Sequence, residues 1–237
     1  MKAKERVSVS PTVSSKKRRK KNKRKNLQRN LKLGFGLLIV LTIALTVLKF
    51  MNPGFLSFKY FELNGEEIDA SKPEMEVELL TVNPYSRPGT ETGKIKGIVV
   101  HYTANPGASA KANRDYFENL KDTHVTKASS NFIVGLEGEI IQCVPTWEVA
   151  YASNDRNKDT VSMECCHPDE TGKFNEETYR SLVQLSAWLC KKFDLDESDV
   201  IRHYDVTGKN CPKYFVENEA VWEQFREDVS RALADAE

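Results

Sequence analysis

One apolar stretch divides this 237-residue chain into two parts of opposite charge. The stretch covers residues 33–51, and its only charged residue is Lys49 near the end. A membrane-spanning helix needs at least about 17 apolar residues, and a lysine close to its end extends its ammonium group to the membrane surface. We therefore predict a transmembrane signal anchor at residues 33–51. A cleaved signal peptide is the alternative, although Ala44-Leu45-Thr46 is a poor cleavage site.

The charge on either side of this stretch sets the predicted topology. Residues 1–50 contain fifteen lysines and arginines and one acid, whereas twenty basic and thirty-three acidic residues follow. Residues 1–32 are expected to be a disordered, basic cytoplasmic tail, because positive flanks stay inside the cell. Everything after residue 51 is then extracytoplasmic in a single-pass membrane protein. The acidic second part excludes nucleic acid as its partner, and binding through the basic tail requires that the stretch not insert.

The second part of the chain reads as a linker and one domain. Residues 52–79 are rich in proline and acids and are expected to be an extracytoplasmic linker, with residues 77–82 pairing at the domain edge. Residues 80–237 contain mixed strands and helices. The predicted elements are strands at 95–101, 160–166 and 199–202, a hairpin at 131–143, and helices at 109–121, 176–193 and 220–233. This order predicts an α/β domain with a central mixed β-sheet flanked by helices.

A short segment in this domain has the residues of half a metal site. His203 ends an apolar strand and Cys211 follows eight residues later, with the turn Thr207-Gly208 between them. Zinc binds imidazole and thiolate readily, and a catalytic zinc keeps three protein ligands and one open position. The best third ligand is His101, at the end of another predicted strand. On the residues alone, Asp205 and Glu164 remain possible ligands, and Cys211 could instead belong to a disulfide.

Two further residues suit hydrolysis at such a site. Alternation along the strand places Glu164 on the face opposite Val161 and Met163. A carboxylate beside a metal site can take a proton from water. Lys209 precedes Cys211 by two residues and could stabilise negative charge on a carbonyl oxygen.

Four ordered motifs resemble the zinc-dependent N-acetylmuramoyl-L-alanine amidases, a family related to phage endolysins and peptidoglycan recognition proteins. The similarity covers about residues 80–232. The motifs are Val99-Val100-His101-Tyr102-Thr103-Ala104-Asn105, Ser130-Asn131-Phe132-Ile133-Val134, Asp159-Thr160-Val161-Ser162-Met163-Glu164, and residues 203–212 from His203 to Pro212.

The resemblance implies a zinc ion held by His101, His203 and Cys211, with Glu164 and Lys209 assisting catalysis. The implied reaction is hydrolysis of the amide between N-acetylmuramic acid and L-alanine in peptidoglycan. A monomeric catalytic domain is expected, tethered to the membrane and acting on the cell wall. A non-catalytic peptidoglycan-binding sensor on the same fold is the alternative; such members typically lack one of the three ligands.

The chain departs from the common family pattern at two places. Ser130-Asn131 replaces an aromatic-histidine pair, and Ala150-Tyr151-Ala152 replaces a Trp-His-Ala or Ser-His-Ala segment. Tyr151 could donate a hydrogen bond in place of the missing imidazole. The predicted substrate-binding residues are Tyr102, Asn131 and Tyr151.

Overall fold

The computed structural model describes residues 68–234 continuously, together with Tyr60, Phe61, Leu63 and scattered residues between 23 and 43. The chain divides into two units, residues 1–58 and 59–237. Most of the predicted anchor at residues 33–51 lies outside the described residues, as does most of the basic tail. Among the residues that are described, no helix has the length and apolar character needed to cross a membrane.

The second unit is built on a mixed sheet, as predicted. Its six described strands are β1 (Glu76–Val77), β2 (Ile98–Tyr102), β3 (Phe132–Val134), β4 (Ile140–Gln142), β5 (Val161–Cys165) and β6 (Val200–Arg202). They lie in the order β1-β4-β3-β5-β2-β6. Only the β3–β4 hairpin is antiparallel; the other neighbours run parallel.

Five helices accompany the described sheet. They are α1 (Ala110–Thr123), α2 (Glu176–Phe193), α3 (His203–Thr207), α4 (Lys213–Glu217) and α5 (Glu219–Ala234). The caps follow the sequence: the Ser109 side chain accepts from the Ala112 amide, and Asn175 caps α2 as predicted. The sequence did not predict α3 and α4, because five residues are too few to show a helical period.

Helices cover both faces of the sheet. One face contributes Val100 and Met163 to a core that includes Leu182 of α2 and Phe225 of α5. The other face contributes Ile133 and Ile141 to a smaller core with Phe117 and Leu120 of α1. Both faces of the sheet are thus covered, as is usual for sheets built mainly of parallel strands. Strand β2 is apolar on both faces from Ile98 to Val100, whereas β5 carries Ser162 and Glu164 on one face.

The predicted linker at 52–79 is partly built into the domain. Strand β1 pairs with β4, and Ala70 is buried. The Phe61 ring stacks on Tyr179 with ring centroids 3.8 Å apart. The described part of this segment is therefore packed against the fold and is not a free spacer.

Candidate metal centre

Parallel strands bring the predicted site residues to one edge of the sheet. His101 of β2 lies directly beside Glu164 of β5 in the strand register, one residue from the end of each strand. Strand β6 runs parallel to β2 on its other side, and His203 follows it as the first residue of α3. Side chains at the carboxyl ends of parallel strands share one edge, which is where ligands bind in open α/β sheets.

The three predicted ligands converge. One ligand atom from each of His101, His203 and Cys211 lies within 4.8 Å of the others, and all three residues are buried. Cys211 Sγ is 3.8 Å from His101 Nδ1, and the two imidazole centroids are 4.6 Å apart. Tetrahedral zinc with one nitrogen and one sulfur ligand holds them about 3.6 Å apart, so this spacing fits one ion.

Two buried polar atoms at this point have no hydrogen-bond partner in the described structure. They are His203 Nδ1 and Glu164 Oε2. An unsatisfied buried polar atom costs about 1–3 kcal/mol. An ion held by the three residues would supply the interaction that this imidazole nitrogen lacks. The donor set and this unpaired nitrogen both fit a divalent cation.

Cys211 is a free thiol within this cluster and not half of a disulfide. All five cysteines are free within the described residues. The backbone N–H of Tyr102 donates to the Cys211 sulfur, an interaction that favours the thiolate. The peptide bond from Cys211 to Pro212 is cis.

Burial dominates the electrostatics of the two histidines. It lowers the pKa of His101 well below its usual value, with further lowering from His203 and Lys209. The pKa of His203 is lowered by burial and by Lys209. Both imidazoles are therefore neutral near pH 7, the form that binds metals.

The pKa values of the two acidic groups, Glu164 and Cys211, are raised instead. Burial raises the pKa of Glu164 to about 8, against the opposing charge of Lys209. Burial, followed by the Glu164 charge, raises the pKa of the Cys211 thiol to about 12, with the Tyr102 amide and Lys209 opposing. A nearby cation favours the charged form of both groups.

Asp205 and Glu164, the two alternative ligands considered from the sequence, have different surroundings in the structure. Asp205 is committed to Arg202: its carboxylate accepts from the Arg202 backbone N–H at 2.8 Å and forms an ion pair with the guanidinium at 3.0 Å. Glu164 lies next to the cluster, with its carboxylate 4.0 Å from His101 Nδ1. Glu164 is thus placed beside the ligands, and Asp205 stabilises the turn that carries His203.

The cluster opens into a cavity of about 390 Å³. The residues that line it include the three ligands, Glu164 and Lys209, and also Tyr102, Lys127 and Tyr151. The Lys127 ammonium lies 5.5 Å from the centre of the Tyr151 ring, so the two side chains form one wall. Two of the three predicted substrate-binding residues therefore reach the cavity.

Asn131 does not line this cavity, and the prediction that it binds substrate needs correction. The residue is 1% exposed. Its side-chain oxygen accepts from the Ser162 backbone N–H at 3.0 Å, and its amino group donates to the Pro145 carbonyl at 3.1 Å. These bonds tie β5 to the 144–148 loop, so Asn131 stabilises the fold beneath the site.

Three residues near the site were not predicted. Lys127 lines the cavity, and Ser153 and Asn154 contact the two histidines. A single lysine, serine or asparagine in a loop belongs to no periodic pattern or motif, so the sequence did not indicate that these residues lie near the site. Their closeness to the site depends on how the loop folds.

A sheet edge that joins neutral imidazoles, a thiol and a partly buried carboxylate in one cavity is typical of metal-dependent hydrolases. The profile of the N-acetylmuramoyl-L-alanine amidase family matches residues 91–214, and the chain belongs to this family. The match includes every predicted catalytic and metal-binding residue.

Individual relatives agree with this assignment. The chain is 37% identical over 166 residues to the N-acetylmuramoyl-L-alanine amidase CwlL of Bacillus licheniformis, covering 65% of this chain and 46% of that protein. It is 34% identical over 176 residues to the amidase BlyA of Bacillus subtilis strain 168, with the same coverage. The chain thus spans about half the length of the relatives it matches. A mutant endolysin from Bacillus subtilis has a similar solved structure, with 27% identity, a TM-score of 0.57, and coverage of 67% of this chain and 99% of that one.

Proposed function

We propose that this chain is a zinc-dependent N-acetylmuramoyl-L-alanine amidase that cleaves the amide between the lactyl group of N-acetylmuramic acid and L-alanine of the stem peptide. The observation that carries the proposal is the convergence of His101, His203 and Cys211 within 4.8 Å in a chain of this family. The complete ligand set favours the enzyme over a sensor that only holds peptidoglycan.

His101 Nδ1, His203 Nδ1 and Cys211 Sγ would hold the ion. Zinc, when bound, polarises a carbonyl group and lowers the pKa of water so that it attacks at neutral pH. Glu164, with its carboxylate beside the cluster, takes the proton from the attacking water and returns it to the departing amine of L-alanine. The Lys209 ammonium stabilises the negative charge that develops on the carbonyl oxygen.

The cavity wall positions the peptide. Tyr102 and Tyr151 line the cavity and present phenol groups that can donate hydrogen bonds to peptide carbonyls. Lys127 lies over the Tyr151 ring and adds a positive charge to the same wall. Peptides end in a carboxylate, so this wall suits the anionic end of a stem peptide.

The test is mass spectrometry of muropeptides after digestion of peptidoglycan by the full chain. The proposal expects free stem peptides that begin with the L-alanine amino group and glycans that retain an intact lactyl group. Chelation should abolish the release, and zinc should restore it. Cys211→Ser should be inactive, whereas Cys190→Ser, which changes a buried thiol of α2, should remain active. Binding of peptidoglycan without any cleavage supports the sensor instead.

We also propose that residues 33–51 anchor the chain in a membrane, with the catalytic domain outside the cytoplasm. The sequence pattern supports this, as do the described residues Phe35, Ile39 and Ile43, which are helical with exposed apolar side chains. Membrane fractionation with an alkaline wash tests the anchor. Release of the chain by the wash contradicts it.

A further inference from the structure

Both ligand histidines contact the same short turn. His101 Nε2 lies 3.1 Å from Ser153 Oγ, and His203 Nε2 lies 3.0 Å from Asn154 Oδ1. The two contacts come from adjacent residues of the loop between β4 and β5. The turn therefore contacts each imidazole ring at Nε2, which leaves Nδ1 as the nitrogen available to a metal ion.

The turn is built to hold these two side chains in place. Ser153 is 1% exposed, and Asn154–Arg156 form a single turn of 3₁₀ helix. The Asn157 side-chain oxygen accepts from the backbone N–H groups of Ala152 and Ser153. The Asn157 side chain thus stabilises the turn by hydrogen bonds to its own backbone.

Asn154 has an unusual backbone conformation. Its φ is +52°, in the left-handed region that most residues other than glycine avoid. Asparagine tolerates this region better than most side chains do, although it still carries a cost. Backbone strain of this kind is found where the surrounding structure needs one side chain at one place. Here the side chain that it places is the acceptor for His203.

The contact to Asn154 determines which nitrogen of the His203 ring carries the proton. The side-chain oxygen of Asn154 only accepts hydrogen bonds, so His203 Nε2 must carry the hydrogen and Nδ1 must keep its lone pair. His203 Nδ1 is the buried atom without a partner, and His101 Nδ1 is the atom 3.8 Å from the Cys211 sulfur. His203 Nδ1 therefore keeps a lone pair for an ion, and the contact from Ser153 to His101 Nε2 leaves His101 Nδ1 beside the Cys211 sulfur.

The geometry points to Ser153 and Asn154 as positioning residues that hold the orientation of both metal-binding histidines, with Asn154 also fixing the tautomer of His203, before an ion arrives. The inference rests on the metal site of the proposed function. Hydrogen bonds to the second nitrogen of a ligand imidazole raise its basicity and prevent ring rotation, and their loss costs about 10- to 100-fold in metal affinity.

Asn154→Gly is the sharpest variant. Glycine adopts a positive φ freely, so this change deletes the acceptor without adding backbone strain. Asn154→Asp is the conservative counterpart, because its carboxylate still accepts from Nε2. The matched control is Asp194→Gly, an exposed residue with φ +57° at the end of α2. Ser153→Ala tests the contact to His101 in the same way.

The first measurement is zinc affinity of the full chain, by competition with a chromogenic chelator. Asn154→Gly is expected to weaken zinc binding by about 10- to 100-fold, Asn154→Asp to retain it, and Asp194→Gly to leave it unchanged. The second measurement is ¹⁵N NMR of the histidine rings in the metal-free chain. The expected result is the Nε2–H tautomer at His203, becoming a mixture in Asn154→Gly while His101 is unchanged.

The outcomes separate this inference from the proposed function. If zinc affinity and the His203 tautomer are both unchanged in Asn154→Gly, the positioning role is refuted, whatever the amidase activity. If the unaltered chain binds zinc and shows these effects but cleaves no peptidoglycan, the positioning role stands and the amidase proposal fails. If the unaltered chain binds no zinc, the metal-site proposal fails and the inference fails with it.

Discussion

Zinc is expected to raise the thermal stability of the metal-free chain by a calculable amount. The ligand atoms converge only in the folded state, so an ion that binds there shifts the unfolding equilibrium. At a free zinc concentration one hundred times the dissociation constant, the gain is about 2.7 kcal/mol. For a domain of this size, each kcal/mol raises Tm by about 2–4 °C. The expected increase in Tm is therefore about 5–11 °C.

The increase in stability that zinc provides should become larger as the pH rises. Both histidines are already neutral, because burial lowers the pKa of each. The Cys211 thiol, with its pKa raised to about 12, must release a proton when it binds the ion. At fixed free zinc, each pH unit then adds about 1.4 kcal/mol, or about 3–6 °C in Tm. Below pH 8 the dependence becomes steeper, because Glu164, with a pKa of about 8, also holds a proton that a cation would displace.

Thermal melts of the full chain with buffered free zinc, across about two pH units around neutrality, measure both effects. Cys211→Ala should eliminate the zinc-dependent increase. Cys190→Ala is the matched control: it removes another buried thiol and should lower the baseline Tm, but the increase with zinc should remain. An equal zinc-dependent increase in Cys211→Ala, or an increase that does not change with pH, would refute the reasoning.

Three further predictions concern single side chains. Glu164→Gln should lower kcat by about 10²- to 10⁴-fold while the chain still binds zinc, because the residue transfers protons beside the ligands. Loss of zinc binding as complete as that in Cys211→Ala would make Glu164 a ligand instead. Lys127→Gln should raise KM by about two- to fivefold with kcat unchanged, since the exposed ammonium contributes only a weak contact to the stem peptide. An unchanged KM would mean that the peptide does not bind against this wall. Asn131→Ala should lower the free energy of unfolding by about 1–3 kcal/mol in denaturant titrations, because the variant leaves the buried hydrogen-bond partners of Asn131 unsatisfied. A change in KM without loss of stability would instead show that Asn131 contacts the substrate.

Much of the fold follows from local patterns. The alternation of apolar and polar residues predicted the faces of β5, and both Asn175 and the end of α2 at Phe193 were identified from capping and period. The hairpin of β3 and β4 was identified from its glycine-rich turn. Such features depend on neighbours within a few residues, and these are visible in the sequence itself.

The candidate site was only partly predictable. His101, His203 and Cys211 belong to motifs with fixed internal spacing, and they do converge. Asn131 also belongs to a motif, yet its amide is used inside the fold. A motif shows that a residue is required but does not show whether its side chain faces the cavity or the core.

The sequence by itself determined the strands, the capped helices and the residues able to bind a metal, since these depend on local spacing and side-chain chemistry. Only the tertiary structure decided that residues near the start of the domain pack onto it, that Asp205 pairs with Arg202, and that Ser153 and Asn154 meet the two histidines. The physical reason is distance along the chain. His101 and Ser153 are 52 positions apart in the chain, and His203 lies 49 positions after Asn154. Their meeting depends on the packing of the whole sheet, which no local pattern encodes.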